Sequence, residues 1–202
     1  MAATAESIAA CEPAGIDHHV LLRHATWADY ERLLELRGES AVPRLTFLDG
    51  VLELMTPSGI HETDKTRIGR LLEAWADESG IQLEGVGSWT IRSEEAERGA
   101  EPDECYFVGP IPDDAQRPDI AIEVVRTSGG IDKLEVWRGL GVPEVWFWQD
   151  RRLRFFRLRE GGYRELERSR ALPDLDPALV LEAMAAPSQT EAVRLLRERM
   201  RG

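Results

Sequence analysis

Residues 118–148 read PDIAIEVVRTSGGIDKLEVWRGLGVPEVWFW, and this stretch decides the fold. Ile120 to Val125 is an apolar run interrupted by one glutamate, Glu123, the pattern of a strand covered on both faces. Ser128-Gly129-Gly130 marks a loop, and Ile131 to Leu140 has helical spacing. Gly141-Val142-Pro143 turns the chain into a second apolar strand, Glu144 to Trp148, and Gln149-Asp150 into a third, Leu153 to Leu158. Strands this apolar around a helix predict a sheet covered by helices, an α/β fold. If the first two strands are parallel, their short connection favours a right-handed crossover.

Outward from this unit, Thr26 with Asp29 three residues later opens a helix through Tyr30, Leu33, Leu34 and Arg37. Arg44 to Leu48 and Val51 to Met55 flank Asp49-Gly50, a type I′ hairpin signal. After the break at Pro57-Ser58-Gly59, Ile68, Leu71, Leu72 and Trp75 predict a helix from about His61 to Ser79, closed by Gly80. Ile81 to Arg92 reads as one strand or two short ones, and the acidic segment Ser93 to Ala100 as a turn or exposed loop. Glu101 to Val108 reads as a strand and Gly109 to Gln116 as a loop. The Gly161-Gly162 turn adds an edge strand, and Ser188 to Arg201 reads as a terminal amphipathic helix. Residues 1–20, Ala-rich and without periodicity, read as a flexible tail, and residues 21–202 as a single domain.

The 202 residues, 43% hydrophobic and 31% charged, have the balance of a soluble domain with a substantial core. No run of 18 apolar residues suggests a membrane span, and the start lacks the basic and apolar segments of a secretion signal. A reducing cytoplasm is therefore the expected compartment. Cys11 and Cys105 give neither a disulfide framework nor metal-ligand spacing. A formal net charge of −12 weighs against a broad basic surface for nucleic acid but leaves room for a local groove or one completed by a metal. The arginines of Arg151-Arg152-Leu153-Arg154 and of Arg194 to Arg201 read as solvated faces.

Three ionisable residues stand out in apolar surroundings. Strand alternation places Ala121, Glu123 and Val125 on one face, with Ile122 and Val124 on the other. An unpaired buried carboxylate costs several kcal/mol, roughly, so Glu123 is either paired structurally or has other work. Lys133 shares a helix face with Val136, Trp137 and Leu140, so its stem runs along the sheet. Its ammonium either escapes at the edge or meets Glu123. Asp103, after Pro102, shares a strand face with Cys105 and Phe107. It is either an ordinary acid at a strand start or a metal ligand, with Glu101 and Glu104 as rivals by residue type. Asp119 repeats the Pro-Asp pair as an acid at a strand start or an outer metal contact. His61 lacks the second histidine of a two-histidine zinc motif, because Lys65 stands at that position. Trp137, Trp146 and Trp148 occupy apolar positions and read as core.

Pro-Asp, the strand ending Ile-Glu-Val-Val, Asp-Lys and Gly-Val-Pro-Glu-Val-Trp together resemble the Uma-two family, a branch of the PD-(D/E)xK nuclease superfamily. The resemblance runs from the Asp49-Gly50 hairpin and the Pro57 to His61 stretch through Leu158. It implies a restriction endonuclease-like fold, with a central mixed β-sheet flanked by helices and an N-terminal helix and hairpin. By the same resemblance Asp103 and Glu123 are acidic metal ligands, and the backbone carbonyl of Val124 is a third. The superfamily's usual lysine position is Val125 here, and Lys133 on the next helix takes its place. His61 matches a histidine at the start of the family's long helix. The implied activity is Mg2+- or Mn2+-dependent endonucleolytic hydrolysis of phosphodiester bonds, with DNA as substrate and a homodimer as the working form. The rival function is a catalytically silent nuclease-fold module for protein interaction or regulation, which the acidic charge favours.

Overall fold

The structure, a computed structural model, describes residues 15–126 and 130–202. Cys11, most of the tail and the Ser128-Gly129 part of the loop lie outside the described residues. The first described strand, β1 (His18–Arg23), begins inside the stretch read as tail. Helix α1 (Trp27–Arg37) opens on the expected Thr26–Asp29 capping box. Strands β2 (Arg44–Leu48) and β3 (Val51–Thr56) form the expected hairpin, with positive φ at both Asp49 and Gly50 as a type I′ turn requires. Helix α2 (Gly59–Ser79) starts two residues earlier, after the N-cap Ser58, and ends on a left-handed Gly80.

Ile81 to Arg92 splits into β4 (Leu83–Gly85) and the start of β5 (Ile91–Ser93), which belong to different sheets. The acidic segment after it is not simply an exposed loop. It turns back into β6 (Arg98–Ala100), whose three residues are buried. Then follow β7 (Glu104–Val108), β8 (Ile120–Val125), α3 (Lys133–Leu140), β9 (Glu144–Gln149) and β10 (Arg152–Arg159). An edge strand β11 (Gly162–Leu166), α4 (Pro177–Met184) and α5 (Gln189–Arg201) complete the chain.

The described strands form the expected mixed α/β arrangement, with a mixed sheet and a second sheet built on the N-terminal hairpin. The larger has the order β11-β10-β9-β8-β7-β4, with only β8 and β9 parallel. The smaller, β1-β3-β2-β6-β5, is antiparallel and contains the hairpin. The reason lies in β2: its residues are buried on both faces, so it needs a strand on each side and a cover. β6 supplies one neighbour, and Tyr30 of α1 packs with Leu45, Phe47 and Leu52 as the cover.

Alternation in β8 feeds two cores. Ile120, Ile122 and Val124 pack with Leu71, Leu72 and Trp75 of α2 and Leu196 of α5. Ala121, on the other face, packs with Val136, Trp137 and Leu140 of α3, and with Ile91 and Ala100 of the smaller sheet. Helix α3 therefore lies between the two sheets, and each of its three buried side chains contributes about 1.5–3 kcal/mol of burial. Glu123 points to this same side. The C-terminal arginines are used structurally: Arg197 pairs with Asp77, Arg199 with Glu182 and Arg201 with Glu78. Among the described residues, no helix is long and apolar enough to cross a membrane.

Candidate active site

Glu123 is 4% exposed at the centre of β8. Trp137 donates its indole N–H to Oε1 at 2.9 Å, and the Lys133 ammonium stands 3.6 Å from Oε2. Lys133 and Trp137 are four residues apart, one helical turn, so a single face of α3 delivers both partners to one carboxylate. The Lys133 ammonium also donates to Thr46 Oγ1 of β2 at 3.0 Å. It thus meets Glu123 rather than escaping to the edge. Asp132, the N-cap, accepts from the Leu134 and Glu135 amides and fixes where the helix begins.

Asp103 lies one residue before β7, and its amide donates to the Ile122 carbonyl at 3.0 Å. Extending the Glu104–Ile122 register by one residue sets it opposite Glu123. Its carboxylate is fully engaged: Oδ2 accepts the Val124 amide at 2.5 Å, and Oδ1 faces His61 Nε2 at 2.8 Å and the Arg44 guanidinium. Arg44 is 4% exposed and Asp103 1%, a buried ion pair. Among the rivals, Glu101 is held by both Arg37 nitrogens, Thr90 and the Leu45 amide. Burial raises the Glu104 carboxyl above its ordinary range, and it faces Gly69 of α2. Asp119 accepts the Val108 amide, a local strand contact.

His61 links two acids. Its Nδ1 faces Asp17 Oδ2 at 2.9 Å while Nε2 faces Asp103, so a buried Asp17–His61–Asp103 chain runs behind the site. Burial alone would raise the Asp17 pKa, but hydrogen bonds from His61 and the Ser58 amide outweigh it and hold it at about 2. The unfolded chain therefore takes up this proton first as pH falls. Asp17 contributes about 2 kcal/mol of stability above pH 4, lost as pH drops through 2. The stability difference between wild type and Asp17→Asn is expected to shrink over that window in urea titrations. A difference constant from pH 7 to 2 would contradict the pairing.

Glu123, Val124 and Lys133 line a cavity of about 300 Å3 at the carboxyl ends of β8 and β9. Glu53 of β3, which the sequence reading passed over, lines it too, and Asp17 stands at its wall. Asp103 and His61 are set behind the lining. The signal for Glu53 was present: Val51-Leu52-Glu53-Leu54-Met55 also carries an acid inside an apolar strand. Cys105 is buried, its thiol pushed up to about 12 by desolvation, and it has no place in the cavity.

The implied metal can be tested against these donors. Among the described residues, no three His, Cys, Asp or Glu side chains converge closely enough to enclose a metal. Glu53 and Glu123 nevertheless line one cavity, and carboxylate oxygens are the donors that hard divalent cations take. Mg2+ is commonly held by one or two carboxylates and completes its shell with water and substrate oxygens. On those terms the residues fit.

No curated protein matches the chain. Among solved structures, it is similar to the crystal structure of a putative nuclease belonging to DUF820 from Anabaena variabilis ATCC 29413. That match has 13% sequence identity and a TM-score of 0.48, covering 80% of this chain and 96% of the other. The pattern that defines the Uma2 family, described as "Putative restriction endonuclease", matches residues 27–189. With Glu123, Lys133 and the strands and helix that carry them all inside that span, the chain belongs to the Uma2 family.

Proposed function

We propose that the chain is a divalent-metal-dependent endonuclease that hydrolyses phosphodiester bonds, with DNA as substrate. The observation that carries this reading is the meeting of Glu123 and Lys133, from successive elements, on the wall of a cavity large enough to admit a phosphate. Family membership supports the reaction class. Asp103, Glu123 and the Val124 carbonyl are the proposed ligands for Mg2+ or Mn2+, and Asp103 needs to leave Arg44 or His61 to serve. The bound metal supplies a water of lowered pKa and positive charge against the phosphate. Trp137 fixes one oxygen of Glu123 and leaves the other toward the cavity. Lys133 presents N–H donors that orient the attacking water or stabilise charge on the phosphate oxygens.

The second reading, a silent module for protein interaction or regulation, has one specific observation in its favour. Arg44 and His61 already satisfy Asp103, so its burial needs no cation. To separate the two, supercoiled plasmid, single-stranded DNA and RNA are incubated with the protein and Mn2+ or Mg2+. Cleavage of DNA that stops on chelation, with the other substrates cut more slowly, is the expected result. Failure to cut any of the three in either metal would favour the silent module.

A further inference from the structure

We propose that Glu53, which lines the same cavity as Glu123, is a second direct donor to the divalent cation, and that Lys133 offsets the charge of both carboxylates when no cation is bound. This rests on the metal dependence proposed above but assigns a residue outside that ligand set. Glu53 is only 2% exposed, in the middle of β3, yet it lines the cavity. Its Oε1 faces His19 Nδ1 at 2.5 Å, and its Oε2 accepts the Ile131 amide at 3.2 Å. A buried carboxylate at the wall of a cavity, held in place by a histidine and a backbone amide, is an oxygen donor of the kind a hard divalent cation takes.

Lys133 is the second line of argument. Its ammonium touches Thr46, the cross-strand partner of Glu53, and stands beside Glu123. The ammonium that pairs with Glu123 thus also reaches the smaller sheet, at the strand position opposite Glu53. Gly130 is the third. A Cβ there would lie 2.5 Å from Glu53 Oε1, so the chain entering α3 closes over this carboxylate, and a side chain at this position would have to push the Glu53 carboxylate aside. Glu53 thereby ties the smaller sheet to the start of the helix that carries Lys133.

A structural role alone would use Glu53 as the partner of His19 and the acceptor for the Ile131 amide. Glu53→Gln keeps that acceptor and removes the charge. Mn2+ is titrated into wild type, Glu53→Gln, Glu123→Gln and Lys133→Met by calorimetry, with urea unfolding as a check of the fold. Each glutamine variant is expected to bind Mn2+ at least about 10-fold more weakly, and Lys133→Met several-fold more tightly because a competing cation is gone. Wild-type affinity in Glu53→Gln alongside lost affinity in Glu123→Gln would overturn the assignment of Glu53 and leave metal-dependent hydrolysis standing. No Mn2+ binding to wild type at millimolar metal would overturn both. If Glu53→Gln does not fold, Lys133→Met decides: unchanged or weaker Mn2+ binding there overturns the proposal.

Discussion

Replacing Arg44 with methionine is expected to lower the unfolding free energy by about 3–5 kcal/mol, because it strands the Asp103 charge in a site that water does not reach. Arg44 is 4% exposed and Asp103 1%. The guanidinium also reaches Glu62 at 2.9 Å, but that acid is 42% exposed and its share of the loss is small. Methionine keeps the volume of the stem, so cavity formation adds little. His61 remains against Asp103 and limits the damage. Urea unfolding measures the loss, and a double-mutant cycle with Asp103→Asn apportions it. If the pair is the cause, the second substitution recovers much of the stability the first removed. The same variant also tests Asp103 as a ligand. With Arg44 gone, a cation bound to Asp103 should stabilise Arg44→Met more than wild type as Mn2+ is raised. Equal stabilisation of both would assign Asp103 to the fold alone.

The contrast between Glu123 and Asp103 explains what could be read from the sequence. The Glu123 surroundings are local: one strand, one loop and one turn of helix lie within fourteen residues, and helical spacing aligns Lys133 with Trp137. Periodicity captures such a unit. Asp103 was readable as an acid in apolar sequence, but Arg44 and His61 come from β2 and α2, about 60 and 40 residues earlier, and only the packing of the two sheets brings them together. Glu53 gave the same signal as Glu123, an acid between apolar neighbours. It stayed unread because its strand was read only as one half of a hairpin, with no partner in sequence to mark the acid. β6 shows the opposite failure. Its flanking glutamates suggested exposure, yet Arg98 is covered by Asp49 and its neighbours, and Gly99 lies against the Tyr30 ring. Asp17 and β1 were hidden in an Ala-rich, aperiodic stretch, where hydrogen bonding to Ser58 and His61 outweighs weak local preference.

Glu123→Gln is expected to slow cleavage by about 10²–10³-fold while leaving the fold intact, provided the chain cuts DNA as proposed. Glutamine has the same shape, and its carbonyl oxygen can still accept the Trp137 indole N–H. What disappears is the negative charge opposite Lys133 and any bond to a cation, so the variant isolates charge from packing. Lys133→Met removes the other half of the same unit and is expected to cost a similar factor. Residues that act as a unit give effects far from additive, so the double variant should be little slower than either single one. Single-turnover cleavage at saturating Mn2+ measures all three without confusion from product release. Independent losses that multiply in the double variant would mean that Glu123 and Lys133 do not serve one chemical step. A loss below about threefold in both single variants, in protein shown to be folded, would mark the Glu123–Lys133 contact as a structural ion pair joining β8 to α3.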